Sequence, residues 1–324
     1  MITFVIVVAV LLLAFLFFSH PAKNLPSPTA DIETRMGRTT LYHYRAKVRH
    51  GKGAIVMVHG FSENQLYFQC VAEPLTRAGY DCIAINLFGY NGSLPNQPDS
   101  YTVEAYSQQI REALLEFKRL RTVKSLVAVW GHSMGGAAVY LASSDIVRQH
   151  PEVKGVFLEN PGFGNNLTVL SRLLRPFAVL SSFRGPRLKF QFFTNLLFTR
   201  ALKDPGAKQF MKRILINYAP EKAVAVANLK SISRLTFGPD TISDNATKKM
   251  FFVFSKRDKL ISFKKVERNL IARLQQDHRF SEAHRLILPD ADHFVSLQAP
   301  EKIAEFVLGQ LQEKESQVFS EAAD

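Results

Sequence analysis

Short apolar runs alternate with amphipathic stretches through most of the chain, and this rhythm constrains the fold more than any other feature. Residues 54–58, 82–85, 125–130, 153–158 and 250–254 are brief and almost wholly apolar, and 285–288 closes the series. Between them, 65–77, 103–120, 264–274 and 300–311 carry apolar residues at helical spacing, with Ile110, Leu114, Phe117 and Leu120 the clearest set. A strand apolar on every side must be covered on both faces. The pattern therefore predicts an α/β fold, a mostly parallel sheet with helices on both faces. Residues 39–48 alternate and read as a further strand before a turn at Gly51-Lys52-Gly53. From Pro161 to Asn245 the rhythm breaks, so 161–245 reads as an insertion of about 85 residues into an otherwise regular sheet.

The chain has 324 residues, 47% of them hydrophobic and 21% charged, enough to bury a large core. That composition excludes disordered, collagen-like and disulfide-scaffold classes. Cys70 falls in an expected helix and Cys82 in an expected strand. They read as two reduced core thiols, with a single disulfide as the alternative.

Ile2 to Phe18 has Thr3 as its only polar member. As a helix it covers about 25 Å, slightly less than a hydrocarbon core of about 30 Å, a gap that local thinning closes. No Lys or Arg precedes the run, and Phe17-Phe18-Ser19-His20-Pro21 is a poor cleavage site. Residues 1–20 thus read as an uncleaved transmembrane anchor, with a cleaved signal peptide or a soluble buried helix as alternatives. Lys23, Arg35 and Arg38 follow the span and lean the remainder toward the cytoplasm. Residues 21–38, with three prolines, read as a linker. The core then comprises 39–160 and 246–315, and 316–324 is a tail. Asn91-Gly92-Ser93, Asn166-Leu167-Thr168 and Asn245-Ala246-Thr247 match the glycosylation pattern, which has meaning only in a secretory lumen.

The most informative stretch is Trp130-Gly131-His132-Ser133-Met134-Gly135-Gly136, a G-x-S-x-G pattern between an apolar run and a helix of small residues. A serine nucleophile needs a sharp strand-to-helix turn to present its hydroxyl above a sheet, and Gly131 and Gly135 remove side chains that would clash there. Ser133 is the candidate nucleophile; a tight structural turn is the alternative. A serine hydroxyl also needs a base. Of nine histidines, His293 follows the last strand on a loop at the carboxyl edge of the sheet, where a base must lie. His132 adjoins Ser133, but its side chain should point away from the hydroxyl. Asp258, just past the run 250–254, is the favoured acid to orient the imidazole, and Glu159 is the alternative. Oxyanion donors are expected from the backbone N–H groups of Met134 and of Phe61, the latter in His59-Gly60-Phe61-Ser62-Glu63 after 54–58. Gly60 permits the tight turn, and His59 reads as a structural bond-maker rather than a second base.

His59-Gly60-Phe61, Gly131-His132-Ser133-Met134-Gly135-Gly136, Asp258 and His293, in that order, resemble the α/β-hydrolase family over residues 39–315, the insertion excepted. Within it the chain is similar to the monoglyceride lipase and lysophospholipase branch, which also includes serine aminopeptidase-like members. There a Glu like Glu63 continues the oxyanion loop, and a cap occupies the place of 161–245. The resemblance implies hydrolysis of an ester through an acyl-enzyme, with no metal or organic cofactor. An acyltransferase or thioesterase with the same triad, and a non-catalytic binding protein on the same scaffold, are the alternatives. Asn86 and Asn91, in the turn after 82–85, depart from the branch pattern, which bears on substrate more than on activity.

Lys and Arg exceed Asp and Glu by 41 to 28, a net +13, and the insertion holds 13 of the former against 4 of the latter. The same segment contains nine phenylalanines, interleaved with cations around Phe183-Arg184 and Lys189-Phe190. Cations and aromatics so mixed suit a lipid interface, so a lipid ester substrate and a membrane are the expected partners. A self-contained cap core with solvated charges is the bland alternative. Nucleic acid is not expected as a partner, because a tethered enzyme is already at a membrane.

Overall fold

The computed structural model describes residues 27–120, 125–168, 220, 222–236, 238, 242–276 and 284–321, with short pieces at 205–206 and 209–210. Its frame is one nine-stranded sheet. The strands are β1 (Ala30–Thr34), β2 (Gly37–Tyr44), β3 (Gly53–Val58), β4 (Tyr80–Ile85), β5 (Leu94–Pro95), β6 (Leu126–His132), β7 (Gly155–Glu159), β8 (Met250–Ser255) and β9 (Arg285–Leu288). They lie in the order β1-β2-β4-β3-β6-β7-β8-β9, with β5 joined to the side of β2. From β4 to β9 every pairing is parallel, whereas β2 runs antiparallel to β1, β4 and β5.

Every residue of β3, β6, β7 and β8 is buried, which explains why their sequences carry no polar alternation. Each Val, Ile or Phe so enclosed contributes about 1.5–3 kcal/mol of transfer free energy. The covering helices pack in pairs, α2 (Val103–Leu120) along α3 (Ser133–Gln149), and α1 (Gln69–Arg77) along α9 (Pro300–Glu321). A 3₁₀ turn, Gln65–Phe68, precedes α1 and starts at Asn64, whose side chain accepts the Leu66 N–H. The helix after β8 passes from α6 (Phe263–Val266) through a π turn (Glu267–Ile271) into α7 (Ala272–Gln276). Short α8 (Val295–Gln298) follows β9.

The structure differs from the sequence expectation at both ends. Residues 30–34 lie in the expected linker yet form β1, paired along its whole length with β2. Only Ile32 of that strand is buried, so backbone pairing rather than apolar pattern holds it in place. The expected tail begins at 316, but α9 continues to Glu321 without a Gly or Pro to stop it. Cys70 and Cys82 are both free thiols, half-buried and buried respectively.

Within the expected insertion, α4 (Lys222–Arg234) packs near α2, and α5 (Asp244–Thr247) leads into β8. Ser231 accepts the Val103 N–H at 2.9 Å and donates to Glu104 at 3.0 Å. The expected transmembrane anchor and the basic-aromatic cluster at 183–193 lie outside the described residues. Among the described residues, no helix is long and apolar enough to cross a membrane.

Candidate active site

β6 runs directly into α3: His132 is the last residue of the strand and Ser133 the first of the helix. The chain turns on Ser133 itself, whose φ of 50° lies in the left-handed region. A non-glycine residue held there costs about 1–3 kcal/mol, which surrounding packing must offset. A β carbon on Gly131 would fall 2.5 Å from the Gly135 carbonyl oxygen, and one on Gly135 would fall 2.4 Å from those of Val58 and His59. Only glycine allows the helix start to approach its own strand and the end of β3 so closely.

His293 arrives on the loop after β9. Its Nε2 is 3.0 Å from Ser133 Oγ, and its Nδ1 is 2.7 Å from Asp258 Oδ2. Asp258 comes from the loop after β8, and its Oδ1 accepts the N–H groups of Leu260 at 2.7 Å and Ile261 at 2.8 Å. These bonds set the plane of the carboxylate. The side chains of Asp258 and His293 are almost wholly enclosed. Such an array lets the imidazole take a proton from Oγ while the carboxylate holds Nδ1–H and stabilises the cation that forms. Arg257, the neighbour that could have neutralised Asp258, pairs instead with Asp290 at 2.7 Å.

Gly60 brings the loop after β3 beside the serine, for a β carbon there would lie 3.0 Å from Ser133 Cβ. Phe61 follows it, and Met134 occupies the first turn of α3, where N–H groups have no acceptor within the helix. Ser62 also has a left-handed φ, 59°, and donates its N–H to Tyr90 Oη at 3.3 Å. That phenol receives Asn228 Nδ2 of α4 at 3.0 Å. On the other side, Gly162 donates its N–H to the Ser133 carbonyl at 2.9 Å. A β carbon on Gly162 would sit 3.7 Å from Ser133 Oγ and 3.5 Å from Ile261, in ordinary contact with both.

His59 has both ring nitrogens engaged, Nδ1–H with the Gly60 carbonyl at 2.8 Å and Nε2 with the Leu87 N–H at 3.1 Å. Burial lowers its pKa to about 4, so it is neutral and holds the loops after β3 and β4 together. Asn86 and Asn91 are part of the same scaffolding. Asn86 Oδ1 accepts the Gln65 N–H at 3.1 Å and its Nδ2 donates to Thr40 at 3.0 Å, while Asn91 Nδ2 donates to Gln65 Oε1 at 3.0 Å.

Beneath the triad lies a second polar layer that sequence reasoning largely missed. His132 points away from the hydroxyl, with Nδ1 2.9 Å from Glu63 Oε2 and Nε2 3.0 Å from the His293 carbonyl. The same Glu63 oxygen accepts the Gly60 N–H at 2.7 Å. Burial, the largest influence on His132, acts to lower its pKa. The pull of Glu63 and Glu159, with the two hydrogen bonds, outweighs it and raises the pKa to about 9. Glu159, the alternative acid, is committed elsewhere. It accepts bonds from Tyr67 Oη at 2.5 Å, Trp130 Nε1 at 3.0 Å, and Ser296 N–H and Oγ at 3.2 and 2.7 Å. Asn160, with a left-handed φ of 40°, adds a second donor to the His293 carbonyl at 3.1 Å. The signal available for it was a polar pair, Glu159-Asn160, ending an otherwise apolar run.

Comparison with known proteins agrees with this architecture. A curated relative, the AB hydrolase superfamily protein YfhM of Bacillus subtilis (strain 168), is 35% identical over 104 residues. That match spans 32% of this chain and only 35% of the relative. The esterase EaEST from Exiguobacterium antarcticum superposes with a TM-score of 0.63 at 14% identity, covering 87% of this chain and 99% of the other. A thermophilic esterase from Thermogutta terrifontis superposes with a TM-score of 0.62 at 14% identity, covering 88% and 99%. At such identities the superpositions speak for the fold. The model of the alpha/beta hydrolase family matches residues 55–306, and the chain belongs to that family.

Proposed function

We propose that the protein is a serine hydrolase that cleaves a carboxylic ester bearing an acyl chain. The observation that carries this reading is the contact of Ser133 Oγ with His293 Nε2, backed by Asp258 on Nδ1. As Oγ bonds to the ester carbon, its proton passes to Nε2, and the carbonyl π electrons become an oxyanion. The Phe61 and Met134 N–H groups hold that charge, each worth about 2.7–4 kcal/mol of transition-state stabilisation. Collapse breaks the bond to the alkoxy group, which leaves with the proton from Nε2. Water then repeats the sequence on the acyl-enzyme, releasing the acid and restoring the serine.

A monoacylglycerol or lysophospholipid is the substrate class we favour, in keeping with the resemblance to the monoglyceride lipase branch. The nine phenylalanines among the cations of the insertion support it. Residues 2–18 would hold the enzyme at the membrane that supplies such substrates. Fluorophosphonate labelling of the full chain, absent in Ser133→Ala, tests the nucleophile. Hydrolysis of p-nitrophenyl esters against monoacylglycerols and lysophospholipids tests the substrate. Preference for short soluble esters without activation by micelles would overturn the lipid assignment.

A further inference from the structure

We infer that His132, held as an imidazolium, is a positioning residue that ties the oxyanion loop to the main chain of His293. The inference rests on the proposed roles of Ser133 and His293. Both ring nitrogens of His132 face oxygens, Glu63 Oε2 at 2.9 Å and the His293 carbonyl at 3.0 Å. A carbonyl only accepts, and the Glu63 oxygen already accepts the Gly60 N–H at 2.7 Å. Against an ionised Glu63, a neutral imidazole has one N–H and would leave one of its nitrogens facing an oxygen lone pair to lone pair; the imidazolium satisfies both.

The groups around the ring are arranged for that cation. Glu63 comes from the oxyanion loop, Glu159 from the end of β7 at 4.0 Å, and the Tyr67 ring stacks at 4.3 Å from the 3₁₀ turn. The His293 ring is 4.8 Å away, and His59, also near, is neutral. The cation therefore meets two carboxylates in a wholly buried site, the condition under which such a charge persists. One continuous chain results: Gly60 N–H to Glu63, Glu63 to His132, His132 to the carbonyl of His293. Gly60 precedes the oxyanion donor Phe61, and His293 is the base. The spacing between the groups that activate the carbonyl and the group that deprotonates the serine thus runs through this buried ring, with Asn160 as a second hold on the His293 carbonyl at 3.1 Å. A misplacement of about 1 Å between such groups can cost about 100-fold in rate.

The test is His132→Gln in the full chain, assayed on a p-nitrophenyl ester across pH. We expect kcat to fall about 10- to 100-fold with KM changed by less than about twofold. The wild type should lose activity as pH rises through about 9, and the variant should lack that limb. A folded variant with wild-type kcat and an unchanged alkaline limb would overturn the inference. Should the variant fail to fold, nitrogen-15 NMR of histidine-labelled wild type decides, with no assay needed. Near neutral pH the resonance of His132 should show protons on both ring nitrogens, and a single ring N–H would sink the idea. Labelling of Ser133→Ala by a fluorophosphonate would instead refute the proposed nucleophile, leaving the NMR result standing by itself.

Discussion

His293 and His132 lie with rings 4.8 Å apart, each buried with a carboxylate against one nitrogen, yet their second partners differ in kind. His293 meets the hydroxyl of Ser133, which can donate or accept, so the ring is satisfied with one proton or two. His132 meets a carbonyl, which only accepts, so Nε2 must carry a proton and only Nδ1, against Glu63, could release one. In the proposed mechanism the upper layer exchanges a proton, and by the inference above the lower layer keeps one. Residue type alone does not decide a buried histidine's role; the donor or acceptor character of the atom beyond it does.

Substitutions in the two layers should separate activity from stability. Ser133→Ala should lower kcat about 10⁶-fold while leaving the denaturation midpoint nearly unchanged, read by ester hydrolysis and urea titration. Asp258→Asn keeps the shape but offers an amide to Nδ1, and should cost about 10⁴-fold in kcat with the protein still folded. In the lower layer, Glu159→Ala strands the donors of Tyr67, Trp130 and Ser296 and removes one carboxylate from His132. It should destabilise by about 3–5 kcal/mol in urea unfolding.

The pH dependence of stability probes the lower layer without mutation. A histidine whose folded pKa exceeds its unfolded value stabilises fully below the unfolded pKa of 6.5 and less as pH rises through the folded value of about 9. Unfolding free energy should therefore fall across that window by about 3 kcal/mol, and His132→Gln should flatten the decline. The smallest effect is expected at the turn joining the layers. Gly135→Ala would press a methyl group on the carbonyls of Val58 and His59, costing about 1–3 kcal/mol by denaturation.

The parallel sheet was legible because β3, β6, β7 and β8 are buried on both faces, leaving apolar runs that only such a sheet accommodates. The serine turn was legible because close backbone approach demands glycines at fixed spacing. β1 was not, since one buried residue, Ile32, gives no period to read. The lower layer was hidden for a different reason. Glu63, His132 and the His293 carbonyl are separated by 69 and 161 positions, and hydrogen bonds between remote loops leave no spacing in the chain. His132 could be judged to point away from the hydroxyl, but not toward what.

The loop bearing His293 is gripped by its peptide oxygen, through His132 at 3.0 Å and Asn160 at 3.1 Å. The root of the side chain is thereby anchored from behind, while the imidazole is held in front by Asp258 and Ser133. In the proposed reaction the base faces the attacking oxygen first and the departing one next, which calls for a mounting that does not drift.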